Sequence, residues 1–209
     1  MHLLKSSQYF SRGVNIDISN KCILQCPACD RQTNRSMVHK AKDITLENYE
    51  KLLDTFPKII MCGQISDPIY HPKFLELLKM SKKLKLLDIS TNGSGKKEKW
   101  WEEAFNIGIE NKNTEWRFAL DGLPSESHIY RINQKGEQVW EMMKMGREMG
   151  ANITWQYIPF LYNENHVDEA LQLAKEYGMK FLLKISSRHP EGMKPSKKEL
   201  RIDRIRVKD

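Results

Sequence analysis

Three of the four cysteines of this 209-residue chain crowd into eight positions, Cys22-Ile23-Leu24-Gln25-Cys26-Pro27-Ala28-Cys29, and the fourth is Cys62. Thiols at such spacing on one loop point to metal or redox chemistry. A disulfide framework belongs to secreted chains, and the first residues, Met1 to Gln8, lack the apolar core of a signal peptide. A structural zinc site takes four closed ligands, so Cys22, Cys26 and Cys29 would need Cys62 or His39 as a fourth, and neither stands at a usual distance. A closed ferredoxin-type cluster needs four thiolates as well. Three thiolates without a fourth describe an iron–sulfur cluster with one iron left open.

The remaining chemistry-bearing residues come in short polar groups. Gly63-Gln64-Ile65-Ser66-Asp67-Pro68 follows one apolar run, Ser90-Thr91-Asn92-Gly93 closes another, Asp121-Gly122 a third, and Ile129-Tyr130-Arg131 lies just beyond. Each group has a plainer reading. Asn-Gly and Asp-Gly are turn signals, arginines are abundant on surfaces, and Gln156 faces a site only if its strand is in the right register. Cys62 could donate a hydrogen atom to a substrate radical or simply fill space as a small buried residue. Tyr70, His71 and His128 either reach a substrate pocket or cap neighbouring helices.

The elements that must carry these residues alternate regularly. β-rich runs lie at Val14–Ile18, Ile59–Cys62, Leu86–Ser90, Trp116–Leu120, Ile153–Ile158 and Phe181–Ile185. Between them, helical patterns start at Thr45, at Phe74 after Pro72, at Glu98, at Glu137 and at His166, and the last three end at Gly108, Gly150 and Gly178. Met142, Met143, Met145 and Met149 read as core filler on one of these helices, and Trp100 and Trp101 as packing of another against the sheet. Six β–α units predict an α/β fold with parallel strands, and 209 residues suit a partial (β/α)6 TIM-like barrel better than a full eight-unit one, although pattern alone also admits an open doubly wound sheet. In either fold the four polar groups share the rim at the carboxyl ends of the strands.

Taken in order, these motifs resemble those of the radical S-adenosylmethionine enzyme superfamily, from about Val14 to Ile185. The C-x3-C-x2-C spacing matches the family hallmark, and the glycine turn, Thr-Asn-Gly and Asp-Gly with Tyr-Arg follow in the family's order. The resemblance implies a 4Fe–4S cluster with Cys22, Cys26 and Cys29 on three irons and S-adenosyl-L-methionine on the fourth. One electron then cleaves the cofactor to a 5′-deoxyadenosyl radical that abstracts hydrogen from substrate. It implies cofactor contacts at Gly63, Gln64, Asp67, Ser90, Thr91, Asn92, Asp121 (ribose), Arg131 (carboxylate) and Gln156. It also implies a reductant such as a flavodoxin or ferredoxin. Three positions depart from the family's common pattern: Ala28 replaces an aromatic residue, Cys62-Gly63-Gln64 replaces Gly-Gly-Glu, and Ala119-Leu120-Asp121 replaces Ser-Leu-Asp.

Composition sets the wider frame. Hydrophobic residues make up 40% and charged residues 29%, enough for a packed core, and no apolar run is long enough to cross a membrane. The expectation is a cytoplasmic protein without membrane association. The net charge of +7 is concentrated after residue 186, where eight Lys or Arg face four Asp or Glu. Residues 1–186 are therefore predicted as the barrel and 187–209 as a basic, solvated tail or an arm for an anionic partner. No cysteine follows Cys62, so thiolates for auxiliary clusters are lacking, and an open site suits a peptide, another macromolecule or an anionic substrate. The rival reading is a non-catalytic zinc or iron–sulfur module that binds nucleic acid through its basic surface.

Overall fold

The computed structural model describes residues 13–201. The chain opens with β1 (Gly13–Ile16), two short helices α1 (Asp30–Thr33) and α2 (Arg35–Lys40), α3 (Leu46–Thr55) and β2 (Lys58–Met61). It continues through α4 (Phe74–Met80), β3 (Leu86–Thr91), α5 (Glu98–Asn111) and β4 (Thr114–Ala119). The last elements are α6 (Gly136–Met149), β5 (Asn152–Tyr157), α7 (Val167–Glu176) and β6 (Lys180–Leu183).

All neighbouring strands are parallel and the sheet order is β1-β2-β3-β4-β5-β6. That order decides between the two candidate architectures. Right-handed crossovers that always step the same way put every helix on one face, whereas a doubly wound sheet must reverse its order once. The fold is α/β, a partial TIM-like barrel, as the sequence predicts.

Strand alternation sorts the side chains. Ile59, Met61, Leu87, Ile89, Trp116, Phe118, Ile153, Trp155 and Tyr157 point to the helices and are buried. Trp101 and Phe105 of α5 fill the centre of this outer layer against Trp116, at ring separations of 5.7 and 5.4 Å. Met143 is fully buried, with Met142, Met145 and Met149 packed on the same core, the filler role their spacing predicts. The opposite face is polar. Asp88 and Glu115 pair in register, as do Ser90, Arg117 and Thr154, and then Ala119, Gln156 and Leu182.

Local differences from the sequence reading have physical causes. Gly108 lies inside α5, not beyond it, because a Cβ there would come within 3.1 Å of the Trp116 indole nitrogen. The helix runs on to Asn111 and ends on Lys112 at φ 62. Pro72 precedes α4 instead of entering its first turn, and Lys73 is the N-cap. Elsewhere the expected signals operate: Thr45 accepts from Asn48 N–H at 3.2 Å to cap α3, and Gly150 ends α6 at φ 98.

The basic tail is not a solvated appendage over its described part. His189 stacks edge-on to Phe160 at 5.4 Å, Leu161 N–H donates to the Met193 carbonyl at 2.9 Å, and Leu200 is buried. Residues 202–209, which carry the rest of the predicted arm, lie outside the described residues.

Candidate active site

The cysteine loop leaves β1 at the carboxyl end and is tied down from three sides. Asp17 accepts from Ser66 Oγ at 2.7 Å and from the N–H groups of Ser66 and Ile65, locking the loop after β2 beside the end of β1. Arg31 donates to the carbonyls of Asn20 and Ile65. On the far side Gln25 N–H donates to the Ile132 carbonyl at 3.1 Å, and Asn133 Nδ2 to that of Ile23 at 3.3 Å. None of these clamps is a sulfur, so the loop's shape does not depend on what the thiols bind.

A cavity of about 480 Å³ opens at the carboxyl ends of the strands, and Cys22, Cys26, Cys29 and Cys62 all line it. Gly63, Gln64, Asp67, Ser90, Thr91, Asn92, Arg131 and Gln156 line it too. The volume falls in the range of small-molecule and cofactor sites.

Chains of known structure share this arrangement of strands and helices. Streptococcus suis SuiB bound to precursor peptide SuiA superposes with a TM-score of 0.69 at 17% identity, over 84% of this chain and 39% of that one. anSMEcpe with bound AdoMet and a peptide gives 0.60 at 17% identity, over 91% and 55% of the two chains. TYW1 with a lysine-pyruvate adduct gives 0.60 at 14% identity, over 90% and 71%. These neighbours are radical S-adenosylmethionine enzymes. The chain shares the fold of these enzymes.

A curated relative, the tungsten-containing aldehyde ferredoxin oxidoreductase cofactor-modifying protein of Pyrococcus furiosus, is 26% identical over 148 residues, 66% of this chain and 40% of the relative. The chain thus spans about two fifths of the length of that relative and of SuiB. No family model matches.

Within this shared fold, the donor set can be tested against a cluster. Among the described residues, no three His, Cys, Asp or Glu side chains stand close enough to share one metal ion. Three cysteines of one loop around one cavity fit three corners of a cubane, whose corners are separate irons. His39 is exposed on α2 and does not join them. Cys26 lies in an apolar cradle of Leu24, Tyr130 and Phe160, with Tyr130 and Phe160 rings 4.2 Å apart. Ala28, where the family commonly has an aromatic residue, packs at the edge of that cradle. Burial pushes the Cys22 thiol up to about 12 and raises those of Cys26 and Cys62, although Arg131 pulls Cys26 down. Such thiols keep their protons until a metal draws out the thiolate. Asn92 Nδ2 stands 3.6 Å from Cys22 Sγ as a donor, the outer contact a cluster thiolate calls for.

The expected cofactor contacts divide into two sets. Ser90 and Gln156 line the cavity, and neither side chain is given to a protein hydrogen bond among the described residues. Gly63 turns at φ 43 beside them, and a Cβ there would stand 2.7 Å from the Ser66 carbonyl oxygen. Gln64 is exposed at the rim, its Nε2 donating to Asp30 at 3.0 Å. Cys62 donates weakly to the Ile16 carbonyl at 3.8 Å.

The other set builds the scaffold. Asp67 accepts from Thr91 Oγ1 at 3.0 Å, from Asn92 N–H at 2.6 Å and from Ile69 N–H at 3.2 Å, so the Thr91 hydroxyl is committed to it. Burial raises the Asp67 carboxyl to about 6 despite these donors. Asp121 departs furthest from its expected role. It is fully buried, accepts from Ile158 N–H at 2.8 Å and pairs with Arg131 at 2.8 Å. A carboxylate so engaged does not face a ribose, and its ion pair fixes one edge of the Arg131 guanidinium while Arg131 still borders the cavity. Tyr130 belongs to the cradle, Tyr70 donates to the Ser94 carbonyl, His71 Nδ1 accepts from Lys73 N–H at the start of α4, and His128 is exposed.

Sequence reasoning missed Arg117, Lys184 and Gln134. The first two were recoverable. Arg117 alternates with the outward Trp116 and Phe118, and Lys184 lies two positions past the inward Leu182. Gln134, buried and donating to the Asn92 and Ala119 carbonyls, sits in a loop with no periodicity to reveal it.

Proposed function

We propose that this chain is a radical S-adenosylmethionine enzyme that binds a 4Fe–4S cluster through Cys22, Cys26 and Cys29. When bound, the cluster and cofactor supply one-electron cleavage of S-adenosylmethionine and, through it, hydrogen abstraction from substrate. The observation that carries this reading is the placement of three cysteines of one loop around one cavity of about 480 Å³. The structural zinc alternative draws no support from His39, which is exposed on α2 and does not line that cavity.

The residues then have separable tasks. The cradle of Leu24, Tyr130 and Phe160 excludes water beside Cys26, and Asn92 donates to Cys22. The open turn at Gly63 offers backbone carbonyls to the cofactor's ammonium. Ser90 and Gln156 supply free hydrogen bonds from the cavity wall, and Arg131, oriented by Asp121, faces the cofactor's carboxylate side. Cys62 borders the same cavity and can serve as a hydrogen donor. A flavodoxin or ferredoxin would deliver the electron. A peptide substrate is the preferred class, because SuiB and anSMEcpe were solved with peptides and the cavity is open at the rim.

Anaerobic reconstitution with iron and sulfide, then S-adenosylmethionine and dithionite, tests the reading. The wild type should take up about four irons per chain, as a cubane requires, and release 5′-deoxyadenosine, while Cys26→Ala does neither. Stoichiometric zinc with no iron uptake would overturn it.

A further inference from the structure

The cations around the cavity are unequally matched. Arg117 pairs with Asp88, Arg131 with Asp121 at 2.8 Å and Arg188 with Asp30 at 2.7 Å. Arg31 gives its Nη1 to two carbonyls. Lys184 also lines the cavity, yet its ammonium has neither carboxylate nor hydrogen-bond acceptor among the described residues. Its backbone extends the sheet through a 2.8 Å bond from Lys184 N–H to the Tyr157 carbonyl, so its side chain follows Leu182 on the inner face, one layer above Gln156.

We propose that Lys184, beside Arg117, is a binding site for a substrate carboxylate. This rests on the reading that the cavity holds cofactor and substrate, and narrows the substrate to one carrying a carboxylate near the reacting atom. The preferred substrate class selects the anion. A peptide carries carboxylates on its acidic side chains and its terminus, and among the described residues Lys184 is the one of these cations whose donors are uncommitted, since Arg117, Arg131 and Arg188 pair with carboxylates and Arg31 gives its Nη1 to carbonyls. The lone ammonium is a compact point charge with three donors to offer a carboxylate oxygen. Burial and the guanidiniums of Arg117, Arg188 and Arg131 depress the Lys184 ammonium below the ordinary lysine range, against the opposing pull of Asp121. An arriving anion relieves that repulsion.

The cofactor's own carboxylate is the competing source of the same chemistry, so the test separates them. Melting of the full chain is followed with glutarate or with inorganic phosphate at equal ionic strength, in wild type, Lys184→Arg and Lys184→Met. In parallel, equilibrium binding of S-adenosylmethionine is measured on reconstituted wild type and Lys184→Met. Glutarate should raise the midpoint of wild type and Lys184→Arg and bind Lys184→Met about tenfold more weakly, one charge-assisted hydrogen bond's worth. Phosphate should do less, and S-adenosylmethionine affinity should not change. Protection of Lys184 by glutarate against a neutral acylating ester, mapped by peptide mass, localises the effect. Equal or better stabilisation by phosphate, no response to glutarate, or loss of S-adenosylmethionine binding in Lys184→Met would each overturn the proposal. Melting and acylation need neither cluster nor turnover. A chain that makes no 5′-deoxyadenosine would therefore count against the enzymatic reading while these measurements still decide the carboxylate site. Because the Lys184 ammonium makes no hydrogen bond or ion pair among the described residues, Lys184→Met without ligand should melt within about 2 °C of wild type.

Discussion

Asn92 shows how a residue can be found for one reason and matter for another. Its place in Thr91-Asn92-Gly93 marks it for a ligand, but its side chain turns to Cys22 Sγ while its backbone N–H holds Asp67. A hydrogen bond to a cluster thiolate stabilises the reduced, more negative state. Asn92→Leu should therefore shift the cluster to a more negative potential in a redox titration followed by electron paramagnetic resonance. An unchanged potential would reduce Asn92 to a loop-building role. Asp88 gives a second prediction at this scale. Burial raises its carboxyl to about 6 even with Arg117 beside it. Native Asp88 therefore holds a proton between about pH 4 and 6 that the unfolded chain has released, and stability contributed by this group falls as pH rises through that window. The fall is on the order of 2 kcal/mol, and Asp88→Asn should lack it in urea titrations across that range. The convergence of the cysteines, Gly63 and Arg131 on one cavity was legible because type and spacing mark them. The partners of Asp121 were not, because an ion pair between residues of separate motifs exists only after the chain has folded.

Secondary elements were legible where period and caps agreed. All six strands fall within a few residues of their predicted places, since β-branched and aromatic runs between amphipathic helices leave little ambiguity. Helix ends were read well at Gly150 and badly at Gly108, and the difference is tertiary. A glycine that admits Trp116 looks in sequence like one that ends a helix. The true end uses Lys112 at φ 62, a conformation that costs a lysine more than a glycine. Lys112→Gly should stabilise the protein by about 0.5–1 kcal/mol, a gain of roughly 1–4 °C in thermal melting. Gly63→Ala should do the reverse, since both its φ of 43 and the Ser66 carbonyl 2.7 Å from the new Cβ oppose it. A loss of about 1–3 kcal/mol follows from such strain, together with weaker S-adenosylmethionine binding if the turn carries the cofactor.

At the scale of the molecule, composition separated a barrel from a basic tail, and only half of that division survives. A run of Lys, Pro and Ser reads as solvated because charge and proline dominate it, yet Met193, His189 and Leu200 are enough to fasten it down. Arg188 adds a bond to Asp30, next to Cys29. The segment thus closes one side of the cradle around Cys26. His189→Ala with Met193→Ala should leave the fold intact but let oxygen reach a bound cluster, seen as bleaching several-fold faster than wild type in visible absorbance. Equal bleaching rates would make the segment a mere covering.

The sheet order has a consequence for how the chain finds this structure. Among the described residues no strand waits for a partner from the other end, because β1 pairs with β2 and each later strand with its sequence neighbours. Every pairing closes a loop of a few tens of residues, and the entropy of closing loops grows only with the logarithm of their length. A closed barrel must also join its first and last strands, a contact spanning nearly the whole chain and slow to form. Here the sheet can grow by adding one β–α unit at a time, and a strand already added is a template for the next.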